Sequence, residues 1–340
     1  MSKNWKDALL SSGLPLEYEV TRLLRQAGFY VKGEYPYSRR SDRSSEEFSV
    51  DLRANHFLEQ GCDNGGFKAQ LATICECKYR NPDKSWIFVP DLNDPDFSPS
   101  SAHALRSFPD YTCYTFDHAR IVSFCCEYPP AMKGIELQER HGEGFERDIR
   151  HAVNQLRYAL PELVVEYAHG ANTCHPNDCL PFFILPLLVT NAPLRMLREN
   201  LMLDEVLAAK DLADISDVVE AVDLHSPFAR DFQQHSHRVF AEFVAERHDS
   251  PHSNFARIAR YQKRKRGGLA RHDDTGFAAG WPESGAFSQF LVVNEAALKG
   301  VLEKAKAAIY EALKESAQVV FPDDESQKTV SNSDGSQKEH

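Results

Sequence analysis

The chain has 340 residues and a formal net charge of −11, with 42% hydrophobic and 26% charged residues. This balance is that of an ordinary globular protein, and the length allows about two domains or one core with large insertions. The acidic charge argues against a protein that coats nucleic acid. It still allows an enzyme that acts on nucleic acid, because a local basic face and bound metal ions can outweigh the overall sign.

Membrane and secretion signals are not evident in the sequence. No apolar stretch approaches the roughly 20 residues that span a bilayer, and the first residues lack the apolar run of a secretion signal. The eight cysteines look like small buried residues and show no disulfide framework. We therefore expect a cytoplasmic protein without a membrane partner.

The N-terminal part of the chain alternates between helix and strand patterns. Apolar residues recur at helical spacing over residues 14–27, and Gly28 is a typical helix-ending residue. Residues 29–31 are predicted to form a strand that enters the core. Apolar and polar residues alternate over 48–54, and a mostly apolar run covers 71–78, so both segments are predicted to be strands.

The middle of the chain begins with a segment that we interpret as an insertion at about residues 81–118, since it is rich in Pro, Asp and Ser near its start. Apolar residues then predict a strand over 119–126. Helical spacing, with Phe145 on the apolar face, predicts a helix over 145–160. A buried strand is predicted over 182–190, and a helix-rich stretch over 194–246.

Charged residues lie inside both predicted strands of the N-terminal part. Asp51 is in the first strand, and Glu76 and Lys78 are in the second. Side chains alternate along a strand, so Glu76 and Lys78 point to the same face. A carboxylate and an ammonium in an apolar strand need partners. Asp51 on a neighbouring strand would supply one partner, and a metal ion would supply another.

These residue types suit phosphodiester hydrolysis. Carboxylate oxygens bind Mg²⁺ well, and the metal polarises a phosphate and lowers the pKa of bound water. A lysine beside the metal can orient or deprotonate that water. The pattern therefore favours a metal-dependent hydrolase in which Asp51 and Glu76 bind Mg²⁺, with Mn²⁺ as a substitute.

The motifs resemble the PD-(D/E)xK nuclease superfamily, and most closely the Mrr-type restriction endonucleases and archaeal Holliday-junction resolvases. The helix that contains Leu16-Glu17-Tyr18 and ends at Gly28-Phe29 is similar to the first helix of the family, which carries a glutamate. Val50-Asp51-Leu52 and Glu76-Cys77-Lys78 match its aspartate strand and its Glu-x-Lys strand, although Val50 replaces the proline that names the motif. Many members also have a glutamine on the following helix, which Gln155 matches more weakly.

The resemblance implies an α/β fold: a restriction-endonuclease-like core with a central mixed sheet flanked by helices, plus a helical C-terminal region. It implies catalytic roles for Asp51, Glu76, Lys78, Glu17 and Gln155, with Asp51, Glu76 and Glu17 as metal ligands. We expect the nuclease-like core in residues 1–195 and a mostly helical accessory region in 196–321, with a strand at 290–293 and a helix at 295–316. Residues 322–340 are polar and are predicted to be disordered.

The expected activity is that of an endonuclease that prefers DNA, in restriction, phage defence or repair. Two alternatives stay open: a catalytically silent member of the fold that binds nucleic acid or a protein partner, and an effector that cleaves RNA. A homodimer also stays open.

The segment 257–271 has seven basic residues and no acidic one. It either contacts phosphates or is a solvated loop.

If it contacts phosphates, neutralising Lys263, Arg264, Lys265 and Arg266 should weaken DNA binding for all sequences and flatten its salt dependence, because fewer counterions are released. Filter-binding titrations over a range of salt concentrations measure this slope, and an unchanged slope would reject the contact.

Overall fold

The computed structural model of the chain describes residues 5–40, 45–59, 68–93, 104–108, 117–138, 142–173, 180–246 and 287–314. The basic segment with Lys263, Arg264, Lys265 and Arg266, and the predicted disordered tail at 322–340, lie outside these residues. The described helices are α1 (Trp5–Ser11), α2 (Leu14–Gln26), α3 (His118–Cys125), α4 (Arg147–Thr173), α5 (Leu203–Ala208), α6 (Arg230–Glu246) and α7 (Leu298–Leu313). Short 3-10 helices cover Leu212–Asp214 and Glu295–Ala297.

The described strands fall into one large sheet and one separate hairpin. Their bounds are β1 (Tyr30–Lys32), β2 (Tyr35–Arg40), β3 (Ser45–Val50), β4 (Leu52–Glu59), β5 (Lys68–Lys78), β6 (Lys84–Pro90), β7 (Arg106–Ser107), β8 (Pro130–Gln138), β9 (Glu143–Phe145), β10 (Phe182–Thr190), β11 (Leu194–Leu197), β12 (Ser216–Val219), β13 (Ala221–His225) and β14 (Gln289–Asn294). Twelve of them form a sheet in the order β1-β4-β5-β10-β14-β13-β8-β6-β11-β12, with β7 paired to β10 and β9 to β8, while β2 and β3 form the hairpin.

The sheet is mixed, and its centre is parallel. Strand β10 is buried along its whole length and runs parallel to β5 and β14, while the two-residue strand β7 pairs with it antiparallel. A continuous apolar run such as Phe182–Thr190 suits a strand that is covered on both faces. Helix α4 packs on one face, while α2, α3 and α7 contribute to the core on the other. An α/β fold with a large mixed central sheet flanked by helices is thereby confirmed.

The helices that flank the candidate site agree with the sequence patterns in part. Helix α2 forms as predicted, and Gly28 follows it with a φ of +86°. Helix α4 runs on to Thr173, beyond the predicted end at 160, although Pro161 lies inside it. Its buried face continues past the proline with apolar side chains such as Leu163 and Val164, so packing compensates for the missing hydrogen bond. Phe145 is not on this helix but is exposed in β9.

The strand predicted over 119–126 is wrong, because residues 119–125 belong to helix α3 and Cys126 is its C-cap. Asp117 caps this helix by accepting a hydrogen bond from the Ala119 N–H at 2.9 Å. Ile121, Phe124 and Cys125 are buried, and α3 packs against α7. A short apolar run cannot separate helix from strand by its pattern alone, and here the N-cap and the packing decide.

Two further segments differ from the sequence expectations. Lys84–Pro90, within the predicted insertion at 81–118, is a strand of the main sheet between β8 and β11. The prediction of helix over 194–246 is wrong for β11, β12 and β13, although α5 and α6 are helical. In the region 196–321, expected to be mostly helical, β12 and β13 belong to the central sheet. Strand β14 also belongs to it and confirms the strand predicted at 290–293. The unpredicted strands β11, β12 and β13 form through long-range pairing, which local propensity does not reveal.

No helix in the described part of the chain is long and apolar enough to cross a membrane.

Gly28→Ala tests the end of α2. A Cβ atom at Gly28 would lie 3.2 Å from Cε1 of His56, and its positive φ is strained for a residue with a side chain. We expect a loss of about 1–2 kcal/mol in the free energy of unfolding, measured by urea denaturation. Gly33→Ala is the matched control, since nothing lies within 4 Å of the added atom; equal losses for the two variants would contradict the assignment.

Candidate functional site

The structure brings Asp51 next to Glu76 at one end of the sheet. Leu52 on β4 pairs with Cys75 on β5, so Asp51, the residue just before β4, lies level with Glu76 on β5. Asp51 itself lies in the bend between β3 and β4 and not inside a strand as predicted, because the chain passes here from the hairpin into the sheet.

Asp51 is held by the backbone of the Glu-x-Lys strand. Its Oδ2 accepts a hydrogen bond from the Cys77 N–H at 2.7 Å. Burial raises the pKa of Asp51 above its ordinary value, while this hydrogen bond and the charge of Lys78 act in the opposite direction. The bend therefore holds the Asp51 carboxylate beside Glu76 and Lys78. Among the described residues, no cationic side chain lies within hydrogen-bond distance of this carboxylate.

Glu76 is the most enclosed charged group of the site. Its side chain is 0% exposed, and Lys78 Nζ lies 2.5 Å from its Oε1. Its Oε2 is buried and has no hydrogen-bond partner within the described residues. Burial raises the pKa of Glu76 to about 7 and the charge of Asp51 raises it further, whereas Lys78 and the backbone N–H of Asp51 lower it. Glu76 Oε2 is thus a buried acceptor without a close hydrogen-bond partner among the described residues.

Lys78 connects the sheet to helix α4. Its Nζ lies 3.5 Å from Oε1 of Gln155, at the long limit of a hydrogen bond, and Gln155 Nε2 lies 3.4 Å from the carbonyl oxygen of Ser49. The Lys78 side chain is 23% exposed. Gln155, the weakest match to the family pattern, is therefore brought to the same place as Glu76 and Lys78.

Glu17 approaches the site from the first turn of α2. Its pKa is raised mainly by partial burial and then by the negative charges of Asp51 and Glu34. Sequence analysis missed Glu34, which lies in the segment between β1 and β2. The register of β1 with β4 pairs Lys32 with Arg53, and two further steps place Glu34 opposite Asp51. The only sequence signal for Glu34 is that the alternation of side chains along β1, if continued through Gly33, puts Glu34 on the same side as Tyr30 and Lys32.

The predicted ligands Asp51, Glu76 and Glu17 do not together form a preassembled metal cage. The described residues contain no group of three or more His, Cys, Asp or Glu side chains arranged to hold a metal ion. Mg²⁺ does not require such a group, because it usually keeps several waters and binds one or two carboxylates plus substrate phosphates. Asp51 and Glu76 supply two carboxylates, and the unpartnered Glu76 Oε2 is a free acceptor, so these residues fit Mg²⁺ or Mn²⁺.

The chain matches no protein-family model, and neither the curated proteins nor the solved structures give a match.

Glu76→Gln tests the electrostatic state of the site in the absence of divalent cations. A pKa raised from 4.5 to about 7 means that folding favours the neutral carboxyl. This stability is present below pH 4.5 and is lost as the pH rises towards 7. The neutral glutamine should therefore raise the free energy of unfolding at pH 8, by on the order of 1–3 kcal/mol, and should change it little at pH 4.

Denaturant unfolding in EDTA at both pH values measures the effect. Glu59→Gln is the control, because its side chain is exposed on β4 and carries the same chemical change. A gain for Glu76→Gln that is equal at pH 4 and pH 8 would show that burial does not raise the pKa of Glu76.

Proposed function

We propose that the chain is a Mg²⁺-dependent endonuclease that hydrolyses phosphodiester bonds, with DNA as the preferred substrate and Mn²⁺ as a substitute for Mg²⁺. The observation that carries the proposal is the buried carboxylate of Glu76, which contacts Lys78, lies opposite Asp51 and keeps one oxygen without a partner. The same three residues form the motif that resembles the PD-(D/E)xK nucleases.

A purely structural ion pair explains this arrangement poorly. Burying a carboxylate is costly unless its lone pairs are satisfied, and Glu76 Oε2 is not satisfied within the described residues. A second carboxylate, that of Asp51, lies beside it and raises its pKa further. A divalent cation would reduce both the cost of the unsatisfied oxygen and the repulsion between the two acids, because Glu76 Oε2 would coordinate it and its charge would offset theirs.

Each residue of the site has a distinct task in the proposed reaction. Asp51 and Glu76 would hold the cation, with Glu17 contributing directly or through a water. The bound ion would neutralise phosphate charge and make a water molecule more acidic. Lys78 has three N–H donors; one faces Glu76 and a second is within reach of Gln155, which leaves one to orient the attacking water. Gln155, whose Nε2 faces the Ser49 carbonyl, would restrain the lysine.

The arrangement of elements also supports a restriction-endonuclease-like core. Helix α2 carries Glu17, β4 follows Asp51, β5 carries Glu76 and Lys78, and α4 carries Gln155. They follow the order of helix, strand, strand and helix that the resemblance implies. Strand β10 then pairs parallel to β5 and supports the Glu-x-Lys strand from its other side.

A nuclease assay on plasmid, single-stranded DNA and RNA, with Mg²⁺, Mn²⁺ or EDTA, tests the function. Cleavage of DNA that needs the cation is expected. Asp51→Ala, Glu76→Ala and Lys78→Ala should each reduce the rate about 100-fold or more, because they remove a metal ligand or the group that orients the water. Glu59→Ala and Lys133→Ala, which change exposed residues, should cleave like the wild type.

Measuring the affinity of each variant for DNA separates a loss of catalysis from a loss of substrate binding. Asp51→Ala should keep its affinity for DNA, since the removed carboxylate repels phosphates. If folded Asp51→Ala and Glu76→Ala proteins cut as fast as the wild type, the site assignment is wrong. If the protein binds DNA but cleaves no substrate with any cation, the catalytically silent alternative replaces the nuclease. Cleavage of RNA alone would identify the RNA-cleaving effector.

A further inference from the structure

Strands β1 and β4 carry two exposed aromatic side chains on the same face of the sheet. Tyr30 is 67% exposed and pairs with Asn55, and Phe57 is 56% exposed two residues further along β4. Paired residues, and residues two apart on one strand, point to one face. This is the face of α4, because Asn55 accepts a hydrogen bond from the hydroxyl of Tyr167 on that helix. Neither ring is covered by α4.

A lysine follows Tyr30 on this face. Lys32 is exposed, lies opposite Arg53 and forms no ion pair within the described residues. Of the neighbouring acids, Glu166 pairs with Arg53 at 2.7 Å and Glu59 pairs with Lys68 at 3.1 Å. Glu34 follows Lys32 on the side of the candidate site. The face formed by Tyr30, Lys32 and Phe57, which we call the β1–β4 face, therefore offers two rings and an unpaired cation.

The β1–β4 face leads directly to the candidate site. Tyr30, Lys32 and Glu34 alternate along one side of the chain, and the register places Glu34 opposite Asp51. At about 3.4 Å per residue, Tyr30 is about 14 Å from that position. A phosphodiester strand that extends from the site along β1 would pass the lysine first and the rings afterwards.

We propose that the β1–β4 face binds single-stranded nucleic acid next to the scissile phosphate, which rests on the proposed nuclease function. Tyr30 and Phe57 stack on unpaired bases, and Lys32 neutralises a phosphate between them and the site. Stacking of this kind requires free base faces, which a duplex conceals and a single strand exposes. The substrate class is thus DNA with a single-stranded segment, such as a flap, a gap or a free strand.

A protein partner fits these observations less well. The apolar area is limited to two rings with Lys32 at their end nearest the site, and β1 has only three residues with which to pair another strand. Protein interfaces usually have a desolvated apolar centre. Two neighbouring rings, with a cation between them and the proposed phosphodiester site, match the groove and stacking pattern of single-strand binding.

The test measures binding of fluorescein-labelled oligothymidylate and of a blunt hairpin duplex, with the full chain in EDTA so that no cleavage occurs. The double variant Tyr30→Ser/Phe57→Ser should bind oligothymidylate about 10-fold or more weakly, because two stacking contacts are lost. Its affinity for the duplex should change less. The single variant Tyr30→Phe, with Phe57 unchanged, should bind oligothymidylate like the wild type, because the ring and not the hydroxyl makes the contact.

Further variants test the role of the Lys32 charge and the location of the binding surface. Lys32→Gln should reduce the salt slope of oligothymidylate binding by about one, whereas Lys299→Gln, an exposed change on α7, should not. Val218→Ser changes an exposed residue of β12 at the opposite edge of the sheet and should leave binding unchanged. Thermal unfolding of each variant checks that a change in affinity does not come from loss of the fold.

The outcomes distinguish this inference from the proposed function. If the wild type cleaves DNA but Tyr30→Ser/Phe57→Ser binds oligothymidylate within twofold of it, the β1–β4 face is not a binding surface, although the nuclease assignment stands. Equal weakening for duplex and single strand overturns base stacking, and a wild type that binds neither oligonucleotide overturns the proposal outright. Binding that depends on Tyr30 and Phe57 in a protein that never cleaves would support the face and reject the nuclease.

Discussion

The buried carboxylate of Glu76 is the constraint on which the rest of the site depends. An ionised group in the middle of a sheet is stable only when charged and polar partners reach it from fixed positions. Lys78 reaches it because alternation along β5 puts residues two apart on one face, and Asp51 faces it because β4 and β5 pair in register. Strand β10 pairs with β5 along the other side, so the position of Glu76 is fixed from both directions.

The two sides of the sheet serve the site differently. Helix α4 covers the face that carries Glu76 and supplies Gln155, while α2 packs its apolar residues on the opposite face and directs Glu17 towards the strand ends. The bend at Asp51 connects these layers, since the hairpin of β2 and β3 packs against α4 just before the chain enters the sheet. A carboxylate at such a junction can accept one backbone hydrogen bond, from Cys77, and still lie close enough to Glu76 and Lys78 to interact with their charges.

Local patterns were sufficient for the parts of the site that lie within one element. The spacing of Glu76 and Lys78, the strand after Asp51 and the helix that carries Glu17 all follow from periodicity over a few residues. Glu34, Tyr30 and Phe57 could not be assigned in this way, because their position depends on which strands pair and in what register. The same reason explains why the strands Lys84–Pro90 and Ala221–His225 were not predicted: each is stabilised by partners distant in sequence.

Register also ties the candidate catalytic residues to the β1–β4 face. Along β4, Leu52, Ala54 and Leu58 are buried against the core that α2 helps to form, and this burial decides which residues face α4. A slip of one residue would move every side chain of the strand to the other face. Asp51, just before β4, and Phe57 therefore cannot be placed independently: the register that brings the acid beside Glu76 also exposes the ring, and a nucleic-acid strand bound along that ring would be aligned with the acid by the same core.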